Sequence, residues 1–84
     1  MVNDGDLVAI FQSIHRVMKA EQLLKGAGYA ILLIPAPRSL AADCGLAIRY
    51  GEGERVEVEH VLAEAGLLPT ETFQRCGEGY RRVE

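Results

Sequence analysis

The chain has 84 residues, 49% of them hydrophobic, and a formal charge of -3. That length gives room for one hydrophobic core, and residues 1–84 are expected to form a single domain with its core over about 7–76. The acidic balance, with Lys and Arg scattered, argues against a nucleic-acid footprint, and the longest apolar run, Tyr29 to Pro37, is far short of the roughly 20 residues that span a bilayer.

The N-terminus is acidic where an export signal would be basic and then apolar, so the cytoplasm is the expected compartment. Cys44 and Cys76 alone make no disulfide framework, and both thiols are expected to be reduced.

Leu7-Val8-Ala9-Ile10-Phe11 has the short apolar character of a buried strand, and Ser13 then offers a helix N-cap. Ile14, Val17, Met18 and Leu24 recur at helical spacing, with Leu23 and Ala27 slightly off the stripe. Arg16, Lys19, Gln22 and Lys25 take the outer face, and Gly26 and Gly28 end the helix.

Tyr29 to Ile34 is a second apolar run, expected as a strand covered on both faces and stopped by Pro35-Ala36-Pro37. Residues 35–45 form a loop with room for one helical turn, and Gly45 suits a left-handed exit. Leu46 to Tyr50 is the third strand, followed by a turn at Gly51-Glu52-Gly53.

Val58, Val61, Leu62 and Ala65 mark a second amphipathic helix ending at Gly66, with Glu54, Glu57, Glu59 and Glu64 outside. Glu71 to Cys76 is a weaker fourth strand in which Cys76 packs, and residues 77–84 are expected to form a flexible tail.

The order β-α-β-β-α-β is that of the ferredoxin-like α+β fold, an antiparallel sheet with two helices on one face. In that topology the start of the first helix and the 35–45 loop share one end of the sheet, which makes His15 and Cys44 neighbours. Cys76 falls at the opposite end, roughly 20 Å away at about 3.3 Å per residue, too far for an intrachain disulfide.

Cys44 is the one residue whose surroundings suit reactivity: a proline-bounded loop, an adjacent glycine and a nearby cation in Arg38. A free thiol with a pKa of about 8.5 is only a few per cent thiolate at pH 7, and lowering that by ~2 units takes ~2.7 kcal/mol. The first helix N-terminus, loop N–H groups and Arg38 act in that direction, and Asp43 acts against it.

The blander alternative is a small apolar residue beginning a buried strand. His15, in a helical first turn, is either a neutral acceptor for the thiol proton or a surface histidine. Arg38 either binds an anionic substrate or partner or braces its loop. The cysteines and histidines have no zinc-finger spacing, and neither a phosphate loop nor a hydrolase triad is visible. No metal or cofactor is expected.

Two blocks carry a resemblance. Ser13-Ile-His15-Arg-Val-Met-Lys19-Ala20-Glu21, and Ile34-Pro35-Ala-Pro37-Arg38 leading to Cys44-Gly45, resemble the helix and loop motifs of the selenium/sulfur (Se/S) carrier protein-like family over roughly residues 8–70. The resemblance implies a carrier rather than a turnover enzyme, with Cys44 taking sulfur or selenium as a persulfide or selenopersulfide.

It further implies roles for His15, Arg38 and Gly45 around that thiol, and donor and acceptor proteins as partners, such as a cysteine desulfurase. Before the cysteine, where small hydroxyl residues are expected, this chain has Ala41-Ala42-Asp43. A non-catalytic interaction module and a thiol redox sensor are the competing readings, and strand-edge pairing into a homodimer is a further expectation.

Overall fold

The computed structural model describes residues 2–40 and 45–83. Strand β1 (Leu7–Ile10) leads to helix α1 (Ile14–Gly26) and strand β2 (Leu32–Pro35). Strand β3 (Leu46–Tyr50) follows, then a 3-10 turn at Glu52–Glu54, helix α2 (Arg55–Glu64), and strands β4 (Glu71–Cys76) and β5 (Gly79–Arg82). The strands form one antiparallel sheet in the order β2-β3-β1-β4-β5, an α+β architecture.

All four residues of β1 are buried, because the strand lies at the centre with both faces covered. Alternation sends Leu7 and Ala9 to one face, where they join Ile48 and Tyr50 of β3 beneath Val17, Ala20 and Leu24 of α1 and Val58 and Leu62 of α2. Both helices therefore lie on that face. On the other face Val8 and Ile10 cluster with Ile34, Ala47 and Leu40.

Local chemistry sets the helix ends. The Ser13 hydroxyl accepts from the Arg16 N–H at 3.2 Å, which caps α1, and Gly28 beyond its C-terminus has φ +90°. The buried stripe of α1 is Val17, Ala20 and Leu24, so Ile14 and Met18 flank the core instead of entering it and stay 56% and 38% exposed. The carbonyl of Ile10 receives both the N–H and the hydroxyl of Thr70, at 2.8 and 3.1 Å, which anchors the start of β4 beside the end of β1.

Several expectations are corrected. The second strand is shorter than Tyr29–Ile34 and is an edge strand with Leu32 41% exposed, so it is not covered on both faces. The Ala36 N–H donates to Gly45, so by the period of two Ile34 also faces β3 and Pro35 faces outward, where its missing N–H leaves no bond unmade.

Glu52 and Glu54 belong to the 3-10 turn, and Glu54 is half-buried with its carboxylate accepting from the Ala30 N–H at 3.2 Å. Glu59 is likewise half-buried, held by Arg55 at 3.0 Å.

The expected tail at 77–84 contains β5, which pairs with β4 through a two-residue turn, and the sheet has five strands where four were expected. Gly77, at φ +61°, takes the first central position of that turn, and Glu78 has no positive φ, the geometry that a Gly-X hairpin turn requires.

These features predict opposite effects at two glycines. Gly77→Val should lower stability by about 1–2 kcal/mol, since an L residue is strained at that φ. Gly26→Ala, inside a helix with open space around the added methyl, should raise it by about 0.5–1 kcal/mol. Urea denaturation of both variants measures the difference.

Candidate functional site

One end of the sheet collects most of the residues singled out from the sequence. Ile10 pairs with Ala47 on one side and Glu71 on the other, and Pro35 pairs with Leu46, so the end of β1, the end of β2 and the starts of β3 and β4 share an edge. α1 begins at this edge and α2 ends there, tied together by the Arg16 guanidinium donating to the Gly66 carbonyl at 2.6 Å. The bond places a cation on the negative end of the α2 dipole.

The loop between β2 and β3 leaves and re-enters at that edge. Its two ends are joined by the Ala36 N–H donating to the Gly45 carbonyl at 2.9 Å. Gly45 is exposed at φ +73°, a left-handed conformation that favours glycine, as its position in the sequence suggested. Pro37 to Leu40 form a tight turn, closed by the Leu40 N–H donating to the Pro37 carbonyl at 3.0 Å. Residues 41–44, and Cys44 with them, lie outside the described residues.

Leu40 is 8% exposed and packs against Val8, Ile10, Ile34 and Ala47, on the sheet face opposite the helices. Its burial contributes roughly 2 kcal/mol, enough to offset the ordering of one or two backbone residues. The turn and the leucine together therefore hold the first half of the loop against that face. Sequence reasoning missed this anchor, because a single leucine in a connecting loop has no periodicity to betray it.

His15 is exposed in the first turn of α1, which contains no acidic residue. Arg38 is exposed within the Pro37–Leu40 turn. The two approach the edge from different faces of the sheet: His15 belongs to the helix layer, and Arg38 to a turn whose final residue packs on the face beneath. The cap bond leaves the first N–H groups of α1 directed out of this end, which adds the positive end of the helix dipole to the two side chains.

Cys76 lies at the other end of the sheet. It is free and exposed, opposite Gly79 at the mouth of the β4–β5 turn, near the segment where the Gly5 N–H donates to Arg75 and the Gly77 N–H to Asp4. It is thus not the packed strand residue the sequence implied. Among the described residues no three His, Cys, Asp or Glu side chains gather into a group that could hold a metal ion. Among them, too, no helix is long and apolar enough to cross a membrane.

Neither the curated proteins nor the solved structures yield a match to the chain. A family model does, over residues 6–74, which takes in β1, α1, the loop, α2 and most of β4. Its description is "Putative Se/S carrier protein-like". On that match the chain belongs to the Se/S carrier protein-like family.

Proposed function

We propose that the protein carries sulfur or selenium between a donor and an acceptor protein as a persulfide or selenopersulfide on Cys44. The observation that supports this reading most is the family match across the whole β2–β3 loop, together with the way that loop is held. Its ends meet at the Ala36–Gly45 bond, and the residue after Cys44 is exposed and left-handed at the sheet edge.

The proposed transfer is an exchange at sulfur with no net oxidation. The Cys44 thiolate attacks the terminal sulfur of a persulfide on the donor, the donor S–S bond breaks, and the donor cysteine leaves as a thiolate. A new S–S bond then stands on Cys44. An acceptor nucleophile takes the terminal atom in a second exchange of the same kind and returns Cys44 as a thiolate. Selenium follows the same course with an S–Se bond.

Arg38 and His15 supply positive charge or a proton acceptor at that edge, each to a limited extent. An exposed cation is worth under about 1 kcal/mol to a neighbouring charge. A thiolate populated at pH 7 needs about 2.7 kcal/mol, so the larger part is assigned to loop N–H groups and to the α1 terminus. The order β2-β3-β1-β4, with a helix after β1 and another after β3, supports a ferredoxin-like unit extended by β5. A cytoplasmic setting, where the thiol stays reduced, suits the chemistry.

Reaction with a charge-neutral thiol probe from pH 5 to 9, read by mass spectrometry, tests the thiol first. Cys44 should label with an apparent pKa below about 8, and Cys76→Ser should leave its profile unchanged. Incubation with a cysteine desulfurase and free cysteine should then add one sulfur atom to wild type and none to Cys44→Ser. No mass gain at Cys44 would end the carrier reading and put a non-catalytic interaction module in its place.

Two loop variants separate the sources of activation. Arg38→Ala should raise the apparent pKa of Cys44 by less than about one unit. Leu40→Ala, which releases the loop from the sheet, should raise it further, towards about 8.5, in the same labelling assay.

A further inference from the structure

The two helices lie side by side and run in opposite directions, and they carry opposite charge. α1 holds Arg16, Lys19 and Lys25 against Glu21, whereas α2 holds Glu57, Glu59 and Glu64 against Arg55. The Arg16–Gly66 bond ties the start of α1 to the end of α2. Leu23 sits between Val61 and Ala65, so Lys19, about one turn back, lies beside the C-terminal end of α2, where Glu64 is the last residue, while Lys25 is bridged to Glu21 at 3.0 Å.

Lys19, Glu57 and Glu64 are exposed, and among the described residues none of the three is in a salt bridge. The outer surface also exposes apolar atoms. Leu23, 37% exposed, meets Val61 and Ala65 in a shallow groove between the helices, and Val56 of α2 is 79% exposed.

From this arrangement we propose that the helix layer pairs with a second copy of the chain about a two-fold axis parallel to the helices. Such an axis lays α1 of each copy antiparallel across α2 of the other. Heights along the axis are kept, so each Lys19 meets the last turn of the partner's α2, at Glu64.

The two grooves face each other at the axis. A two-fold axis perpendicular to the helices instead stacks α1 on α1 and α2 on α2, basic on basic and acidic on acidic, and is rejected by charge.

The face measures about 20 Å along α1 and about 20 Å across two helices, roughly 400 Å² for each copy. That is below the roughly 800 Å² of a stable complex, so the association is weak, reversible and salt-sensitive. Its consequence for the fold is directional. Both copies present the sheet edge with Ala36 and Gly45 at the same end of the dimer.

Sedimentation velocity from about 10 μM to about 1 mM at low ionic strength should show wild type passing from monomer to dimer, with added salt reversing it. The double variants Lys19→Glu/Lys25→Glu and Glu57→Lys/Glu64→Lys should each remain monomeric, since each makes both helices alike in charge. Their equimolar mixture should associate at least as strongly as wild type, because every cross-helix pairing is again between opposite charges.

Circular dichroism confirms that the variants, altered only at exposed helix positions, remain folded. A wild type that stays monomeric throughout overturns the proposal, and so does a mixture that fails to associate. Double variants that dimerise as wild type does would assign the contact to a sheet edge and overturn it equally. None of these readouts depends on sulfur transfer.

Discussion

The pairing of β1 on both its flanks is the constraint on which the remainder of the structure depends. Four residues, Leu7 to Ile10, exchange backbone bonds with β3 on one side and β4 on the other, and their side chains fill both faces of the sheet. A strand buried in this way has no polar face to offer solvent, so each face must be covered by something else. The helices cover one. The other is closed by Leu40, Ala36, Phe73, Tyr80 and Val2.

That second requirement determines how the β2–β3 loop is placed. An apolar face left by Val8, Ile10, Ile34 and Ala47 draws Leu40 down onto it, and the turn that begins at Pro37 gives the chain the reversal it needs to get there. The Ala36–Gly45 bond then makes the loop begin and end at one point of the sheet. Joining Ala36 to Gly45 and burying Leu40 removes conformational freedom from Ala36 to Leu40. Core packing therefore also places the first half of the loop, Ala36 to Leu40.

How much of this was legible varied with the physics of each element. Ser13 as a cap, Leu46 to Tyr50 as a strand and Glu71 to Cys76 as another all followed from local chemistry that the tertiary structure leaves in place. β5 was missed although Cys76-Gly77-Glu78-Gly79 carries the glycine of a two-residue hairpin. Its strand, Gly79 to Arg82, is short and polar, and it is held by its neighbour rather than by burial.

At the site, Gly45 was legible because a left-handed exit has a residue preference, and His15 because helix phase places it. The separation of His15 and Arg38 onto different faces was not legible. It depends on Leu40 crossing the sheet, a long-range contact without a local signature. Arg16 was read only as part of an outer face, yet it spans to Gly66 and ties the end of α2 to the start of α1.

The site is an edge rather than a pocket, and the difference bears on the chemistry proposed for it. A pocket excludes water and strengthens each charge inside it, so a few fixed groups there suffice to shift a pKa by several units. At an exposed edge each charge is screened, and no single residue among Arg38, His15 and the α1 terminus supplies a thiolate alone. A group that must be handed between two proteins cannot be enclosed, however, since each partner has to reach it. For the transfer proposed, exposure is best reconciled with order by a loop anchored in advance, as the Ala36–Gly45 bond and the buried Leu40 anchor the described ends of this one.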